Sequence, residues 1–476
     1  MNGPRHVHFV AIGGTGMGSL AGLVKARGIH VTGSDEEIYP PMSTALEQWG
    51  IAVSLGFRAA NLAQGPGGTP DWVVIGNAVR PDNPEARAAI DGGYDYRSFP
   101  DALYELALAT KHRVVVSGTH GKTTTTSLVA SLLQRADRDP SVLVGGIAQD
   151  FGGSFREGSG PHFVVEGDEY DTAFFDKTPK FLHYHPQTLV LTSIEFDHAD
   201  IYRDLDHVCE AFRELVSTLP SDATLVACFD DPNVRAIASQ ASCRTVSYGL
   251  DISREVSWRA VAIQALPDAT EFQIEGPAGR AAARLPLHGD FNVANALGAV
   301  AAAVELGVPL RDAAAALEGF QGVKRRQELR AEVSGISIFD DFAHHPTAVA
   351  GSVAALRSRY PGRRLVAVFE PRTNTSRRSV FQGPYCDALS RADLVVIPRV
   401  DQTPIYSATG EVTEFLAVDD LVRDLEKRGV SATAQDDVDG IVAFLSDSCR
   451  EGDVILVMSN GAFGNIWKKL EDAFGR

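Results

Sequence analysis

Short apolar runs alternate with helical stretches along most of the chain. Residues 7–12 (Val-His-Phe-Val-Ala-Ile) predict a buried parallel strand, 13–18 a tight glycine loop and 20–27 a helix. Strands over 30–33 and 72–75 follow, with a Gly- and Pro-rich surface loop over 61–70. The pattern restarts at Arg113, with a strand over 114–116, a second glycine loop, a helix over 122–134 and strands over 163–165 and 189–191. Between 255 and 287 the alternation shortens, as in antiparallel strands, and Ala-rich helices are predicted over 292–305 and 310–317. A third unit opens near Lys324, with strands over 336–339, 365–369, 394–397 and 454–457. Apolar strands separated by helices imply parallel sheets covered by helices.

At 476 residues the chain is too long for one ordinary core. The three units predict an α/β protein of three domains. These are a Rossmann-like domain over 1–108, a central P-loop ATPase-like domain over 109–323 and a doubly wound α/β domain over 324–476. Hydrophobic content of 44% and charged content of 22% suit a soluble globular protein. The five cysteines are scattered without a CxxC pair, which points to a reducing compartment rather than a disulfide framework. No signal-peptide pattern or bilayer-length apolar run is found, so a cytoplasmic protein without membrane insertion is expected. A net charge of −17 argues against nucleic acid as a partner, and anionic ligands would need local donors.

The strongest chemical signal is Ser117-Gly118-Thr119-His120-Gly121-Lys122-Thr123-Thr124, between a predicted strand and helix. Glycines let such a loop turn its N–H groups, and the helix start, toward a polyphosphate. Lys122 is placed to reach β/γ oxygens and the Thr123 hydroxyl to meet magnesium. The spacing departs from the usual P-loop, which would need glycine at Val116. A Thr-rich helix start without a ligand is the bland alternative. At the phosphate-facing end of a helix, Lys122 is expected to serve chemistry rather than folding.

Gly13-Gly14-Thr15-Gly16-Met17-Gly18, with Ser34 and Asp35 ending the second strand, is similar to a dinucleotide fingerprint. It does not distinguish NAD from a UDP-sugar, and tight turns use glycine without any ligand. Glu166-Gly167-Asp168-Glu169-Tyr170-Asp171 and Glu195-Phe196-Asp197-His198 each follow an apolar strand, where carboxylates suit magnesium. A solvated acidic loop would read the same way. Asn292 and Asn295 share a helix face and suit two edges of an adenine, although Asn near a helix start is commonly a cap. Lys324-Arg325-Arg326 lies at a domain junction, where a cation could close on a transferring phosphoryl group or simply be a basic turn. His344 and His345 are adjacent, and neighbours on one turn do not easily converge on one ion.

Taken in order over the whole chain, these motifs resemble the Mur ligase family. The resemblance implies that ATP phosphorylates a carboxylate and that an amine then attacks the acyl phosphate and expels phosphate, with ATP and Mg2+ as cofactors. It assigns catalysis to Lys122, Glu166, His198 and Arg326. ATP binding falls to Gly118, Thr119, His120, Gly121, Lys122, Thr123, Thr124, Asn292, Asn295, Arg326 and Asp341. UDP-sugar binding falls to Gly13, Gly14, Thr15, Gly16, Met17, Gly18, Ser34, Asp35, Asn77 and His120. Peptide binding falls to His344, Arg372, Asn374 and Asn460, and the metal to Thr123, Glu166 and His198.

Four stretches resemble the branch that joins L-alanyl-γ-D-glutamyl-meso-diaminopimelate to UDP-N-acetylmuramate in peptidoglycan recycling: 39–44 (YPPMST), 171–177 (DTAFFDK), 369–375 (FEPRTNT) and 457–464 (VMSNGAFG). The alternative is the branch that adds L-alanine, which carries a His–Arg pair where this chain has Arg372-Thr373. A monomer or weak homodimer is expected. Several relatives carry a lysine carbamate that ligates magnesium; here no lysine lies between Lys180 and Lys324, and Arg213 stands near that position. Asp82-Asn83-Pro84, similar to a diaminopimelate-reading motif but in the wrong domain, is expected to be a turn. An NAD oxidoreductase would leave Lys122 and Arg326 idle, and a non-catalytic nucleotide-gated protein would not need Glu166, His198 and Arg326.

Overall fold

The computed structural model describes residues 3–64, 68–407 and 410–475. The apolar runs form the centres of three sheets. In the first, five parallel strands lie in the order Ala52–Leu55, His30–Asp35, His6–Val10, Trp72–Ile75 and Tyr96–Ser98. The second has ten strands. Its seven parallel members run from Trp258–Ala265 through His112–Ser117 to Ser141–Ala148. Antiparallel strands extend it at both ends, Thr270–Gly276 and Gly279–Leu285 on one side and Gly153–Arg156 on the other. The third sheet has five parallel strands and one antiparallel edge, Glu328–Val333. Alternate residues of its strands feed two separate apolar clusters, one on each face. Among the described residues no helix is long and apolar enough to cross a membrane.

Three local expectations are corrected. The first helix begins at Thr15 rather than after Gly18. Its glycines serve close packing, since a Cβ on Gly18 would collide with Met42 and one on Gly22 with Phe155. The 61–70 stretch is not wholly loop, because Ala60–Gln64 is helical; Gly65, Pro66 and Gly67 lie outside the described residues. The Asp82-Asn83-Pro84 turn is also a helix start: Asn83 Oδ1 accepts from Glu85 N at 3.0 Å and Ala86 N at 2.9 Å, capping Pro84–Asp91. The fully buried Glu85 then accepts from Ser34 Oγ at 2.9 Å and Asn61 Nδ2 at 2.7 Å and lies 2.7 Å from His8 Nε2.

The first helix, Thr15–Ala26, packs on the hairpin strands Ser141–Ala148 and Gly153–Arg156 of the second domain. Ser19 Oγ and Ser154 Oγ are 2.5 Å apart, and Arg27 meets Glu157 through Nε at 3.0 Å and Nη2 at 2.9 Å. Trp49 meets Phe155 edge-on at 5.0 Å, and one apolar cluster runs continuously through both domains.

His112 and His162 face each other on neighbouring strands, with ring centroids 5.7 Å apart. Burial, then His112, lowers His162 to about 4. The unfolded chain takes up a proton near pH 6.5 that the folded chain refuses until about 4. Stability from this site is therefore present above 6.5 and lost as pH falls toward 4. His162→Gln is expected to flatten that part of a melt-versus-pH curve, and an unchanged curve would refute the assignment.

Candidate active site

The strand His112–Ser117 lies inside the ten-stranded sheet, between Thr188–Leu191 and His162–Gly167, so its end opens beside two acidic strand exits. Residues 118–121 connect it to the helix Lys122–Arg135. Gly118 (φ 135°) and Gly121 (φ 80°) adopt backbone that L side chains rarely take. Gly121 caps the helix without a side-chain hydrogen bond, and no acid stands in the first turn. An uncapped helix start without an acid is the arrangement that an anion site requires. The loop is pinned from behind. Thr119 N donates to Ser193 O at 2.8 Å, His120 N to Ser193 Oγ at 3.0 Å and Thr192 Oγ1 to His120 O at 2.6 Å.

Asn295 lies against Gly121, where a Cβ would strike its side-chain oxygen. Asn292 is not a cap: Gly289 occupies that position, and Asn292 Nδ2 donates to His288 O at 2.8 Å. Both asparagines are buried beside the loop. Gly121→Ala adds about 1–2 kcal/mol of left-handed strain to that clash. It is expected to raise the KM for ATP at least several-fold while leaving UDP-sugar binding unchanged; equal affinity for ATP would refute the role.

Lys122 Nζ donates to Gly118 O at 2.6 Å and to Glu169 Oε2 at 2.6 Å, and Glu169 Oε1 lies 3.1 Å from His198 Nε2. All three are largely buried. Burial alone would raise Glu169, but Lys122 and His198 outweigh it and hold the carboxyl at about 2. Burial alone would lower His198, but Asp197 and Glu169 lift it to about 9. The buried network therefore carries alternating charge: Lys122, Glu169, His198, Asp197.

A second group adjoins it. Thr123 Oγ1 donates to Glu166 Oε1 at 3.0 Å, and Glu166 Oε2 accepts from Gly145 N at 2.8 Å. Burial pushes Glu166 up from the usual carboxylate range. Arg326 enters from the domain junction, with Nη2 3.4 Å from Thr123 Oγ1 and its guanidinium 4.8 Å over the Phe342 ring. Asp341 accepts from Gln327 N at 2.9 Å and Ala343 N at 2.7 Å, so it shapes the turn that carries Arg326. The oxygen pair of Thr123 and Glu166 fits a hard dication. His198 is engaged with Glu169 as a charged pair, and ligation through Nε2 would require that contact to be given up. Glu169, which the sequence offered only as one member of an acidic run, is the residue that joins Lys122 to His198.

The third domain meets this site along 195–199. Glu195 Oε2 accepts from Thr347 Oγ1 at 2.6 Å and lies 2.9 Å from His120 Nε2 and 3.3 Å from His345 Nδ1. Among the described residues, His120, Glu195 and His345 form a group whose possible ligand atoms all lie within 4.8 Å of one another. His345 thus converges with His120 rather than with its neighbour His344, whose Nε2 lies 3.6 Å from Asp197 Oδ2. Ala199 N donates to Thr375 Oγ1 at 2.9 Å. Beside this seam is a polar cleft of about 290 Å³, lined by Tyr170, Asp197, His198, Asp200, His344, Arg372, Asn374 and Asn460 among others. All four residues expected to meet a peptide line it.

The first-domain candidates divide. Gly14, Thr15 and Gly16 are exposed at the helix start, Asn77 is exposed after its strand, and Asp35 Oδ2 accepts from Gly13 N at 2.8 Å. Met17 and Gly18 are instead buried against the domain core, and the buried Ser34 hydroxyl is committed to Glu85. Sequence position alone does not separate the two faces of a helix that starts inside a glycine run.

Three family models match in order: "Mur ligase family, catalytic domain" over 6–111, "Mur ligase middle domain" over 116–303 and "Mur ligase, glutamate ligase domain" over 325–461. A curated relative from Escherichia coli, "UDP-N-acetylmuramate--L-alanyl-gamma-D-glutamyl-meso-2,6-diaminoheptandioate ligase", is 37% identical over 477 residues, covering 99% of this chain and 98% of its own. The chain belongs to the Mur ligase family. Among solved structures, a murein peptide ligase from Psychrobacter arcticus shares 33% identity at TM-score 0.72, with 99% of both chains covered. A UDP-N-acetylmuramate-alanine ligase from Thermotoga maritima shares 25% identity at TM-score 0.78, again with 99% of both covered. Arg213 is exposed on the helix Leu205–Ser217.

Proposed function

We propose that this protein is an ATP-dependent carbon–nitrogen ligase that joins L-alanyl-γ-D-glutamyl-meso-diaminopimelate to UDP-N-acetylmuramate, in peptidoglycan recycling. The observation that carries the reading is the seam itself, where Arg326 from the third domain reaches Thr123 of the phosphate loop beside the Arg372–Asn460 cleft.

The residues divide the work accordingly. The exposed helix start at 14–16 receives the UDP-sugar. Residues 118–124 with Asn292 and Asn295 hold ATP, and Lys122 faces its β/γ oxygens. Magnesium, held by Thr123 and Glu166, would neutralise phosphate charge. The muramate carboxylate takes the γ-phosphoryl group, and the peptide amine attacks the acyl carbon and expels phosphate. Lys122 and Arg326 offset charge on the transferring group in a site shielded from water. Asp197 and His344 border the cleft where the amine arrives and would shed its proton. Five free cysteines suit a reducing compartment, and the cytoplasm, which holds both nucleotides, is the proposed location.

The alanine-adding reaction is the second reading, favoured by the TM-score of 0.78 to the Thermotoga protein. Overall shape follows domain orientation as well as residue chemistry, and between these two solved structures the identity is higher to the peptide ligase, 33% against 25%. A phosphate-release assay with ATP and UDP-N-acetylmuramate decides between them. The tripeptide is expected to drive release and L-alanine to give little. Release with L-alanine alone would move the assignment to the second reading. Added bicarbonate is expected to leave the rate unchanged.

A further inference from the structure

Two consecutive arginines at the domain junction face opposite ways. Arg326 turns to the phosphate side, as described. Arg325 turns into the third domain, where its Nη2 donates to Ser459 O at 2.7 Å and Gly461 O at 2.8 Å. Its Nε lies 3.3 Å from Asp340 Oδ2, and its guanidinium sits 5.0 Å over Trp467 and 5.3 Å over Phe342. Positive φ at Arg325 (60°) and Gln327 (51°) gives the junction the sharp turn that separates the two side chains.

The two carbonyls held by Arg325 flank Asn460, which lines the amine-side cleft. The same loop backs Arg372, since a Cβ on Gly461 would run into its side chain. Ser459 Oγ donates to Glu370 and accepts from Gly461 N at 2.9 Å, closing the loop on the strand exit that carries Arg372. One guanidinium nitrogen therefore fixes the backbone on both sides of Asn460, and the loop has no second cationic anchor among the contacts described.

We propose that Arg325 is a positioning residue for the amine substrate. It ties the loop bearing Asn460, and through it Arg372, to the same turn from which Arg326 reaches the phosphate loop. The distance between the attacking amine and the activated carboxyl is thereby set by two neighbouring residues of one rigid turn. The inference rests on the ligase reading above. It adds a residue that touches neither nucleotide nor peptide yet governs how the peptide is presented. A lysine offers a point charge without the planar donor geometry that reaches two carbonyls at once.

The test compares Arg325→Lys and Arg325→Met with wild type in three readouts. These are the KM for the tripeptide, the ratio of amide formed to phosphate released, and acyl phosphate trapped by borohydride reduction when no amine is present. Losing one charge-assisted contact is expected to raise the tripeptide KM by about tenfold. The amide-to-phosphate ratio should fall, since a misplaced amine leaves the acyl phosphate to water. Trapped acyl phosphate and the KM for ATP should stay near wild type. Unchanged tripeptide KM and coupling would overturn the inference, as would a loss of acyl phosphate equal to the loss of amide. If Arg325→Met does not fold, Arg325→Lys, which keeps the charge and most of the packing, carries the same readouts. Wild-type protein that releases no phosphate with UDP-N-acetylmuramate and any amine would overturn the ligase reading and this inference together.

Discussion

Lys122→Ala is expected to lower turnover by on the order of a hundredfold or more, the size of losing one preorganised electrostatic donor. At the start of the helix that follows the 118–121 loop, its ammonium has no substitute in the first turn. The substitution should also weaken the fold, which the sequence did not suggest. Lys122 and Glu169 form a buried pair at 2.6 Å, and removing the lysine leaves that carboxylate with His198 alone. Breaking a buried ion pair from one side costs about 3–5 kcal/mol, and the remaining histidine offsets part of this. The double variant Lys122→Ala/Glu169→Gln separates the two effects, because it should recover thermal stability without recovering turnover. Wild-type turnover in the single variant, or recovery of both properties in the double one, would sink the assignment.

Arg326→Lys is expected to reduce turnover by about a hundredfold as well, while UDP-N-acetylmuramate binds with near-normal affinity. The sequence suggested that this arginine arrives only when domains close. In the structure it is already within 3.4 Å of Thr123, seated on Phe342, with Asp341 shaping its turn. Lysine would keep the charge and lose both the ring stacking and the planar fork. Calorimetry of nucleotide-sugar binding beside single-turnover kinetics provides the check. Equal losses in both would mean a misfolded junction, and unchanged turnover would return Arg326 to a structural role.

The sheet centres were legible because a strand buried on both faces must be apolar throughout, as at 114–116 and 454–457. Half-exposed strands such as Ala52–Leu55 and Ser431–Gln435 carry no such run and went unseen. The loop at 118–121 was legible because its positive φ angles demand glycine at fixed places. The pairing of Glu169 with Lys122 was not, since the run at 166–171 offers four acids and only the third dimension selects among them. Ser34 shows the converse: its position at a strand end suits a ligand, but its hydroxyl donates to Glu85, fifty-one residues on.

The continuous apolar cluster shared by the first two sheets has a consequence for how the chain can be divided. A cut near residue 108 would split that core and bare the face around Gly22, Trp49 and Phe155 on one piece or the other. A cut near residue 323 parts polar seams instead, because the last sheet owns both of its clusters and borrows chiefly Phe196 from its neighbour. Three domains by topology are thus two pieces by mechanics. The proposed nucleotide-sugar and ATP sites therefore stand on one shared core, and the proposed amine side stands on cores of its own.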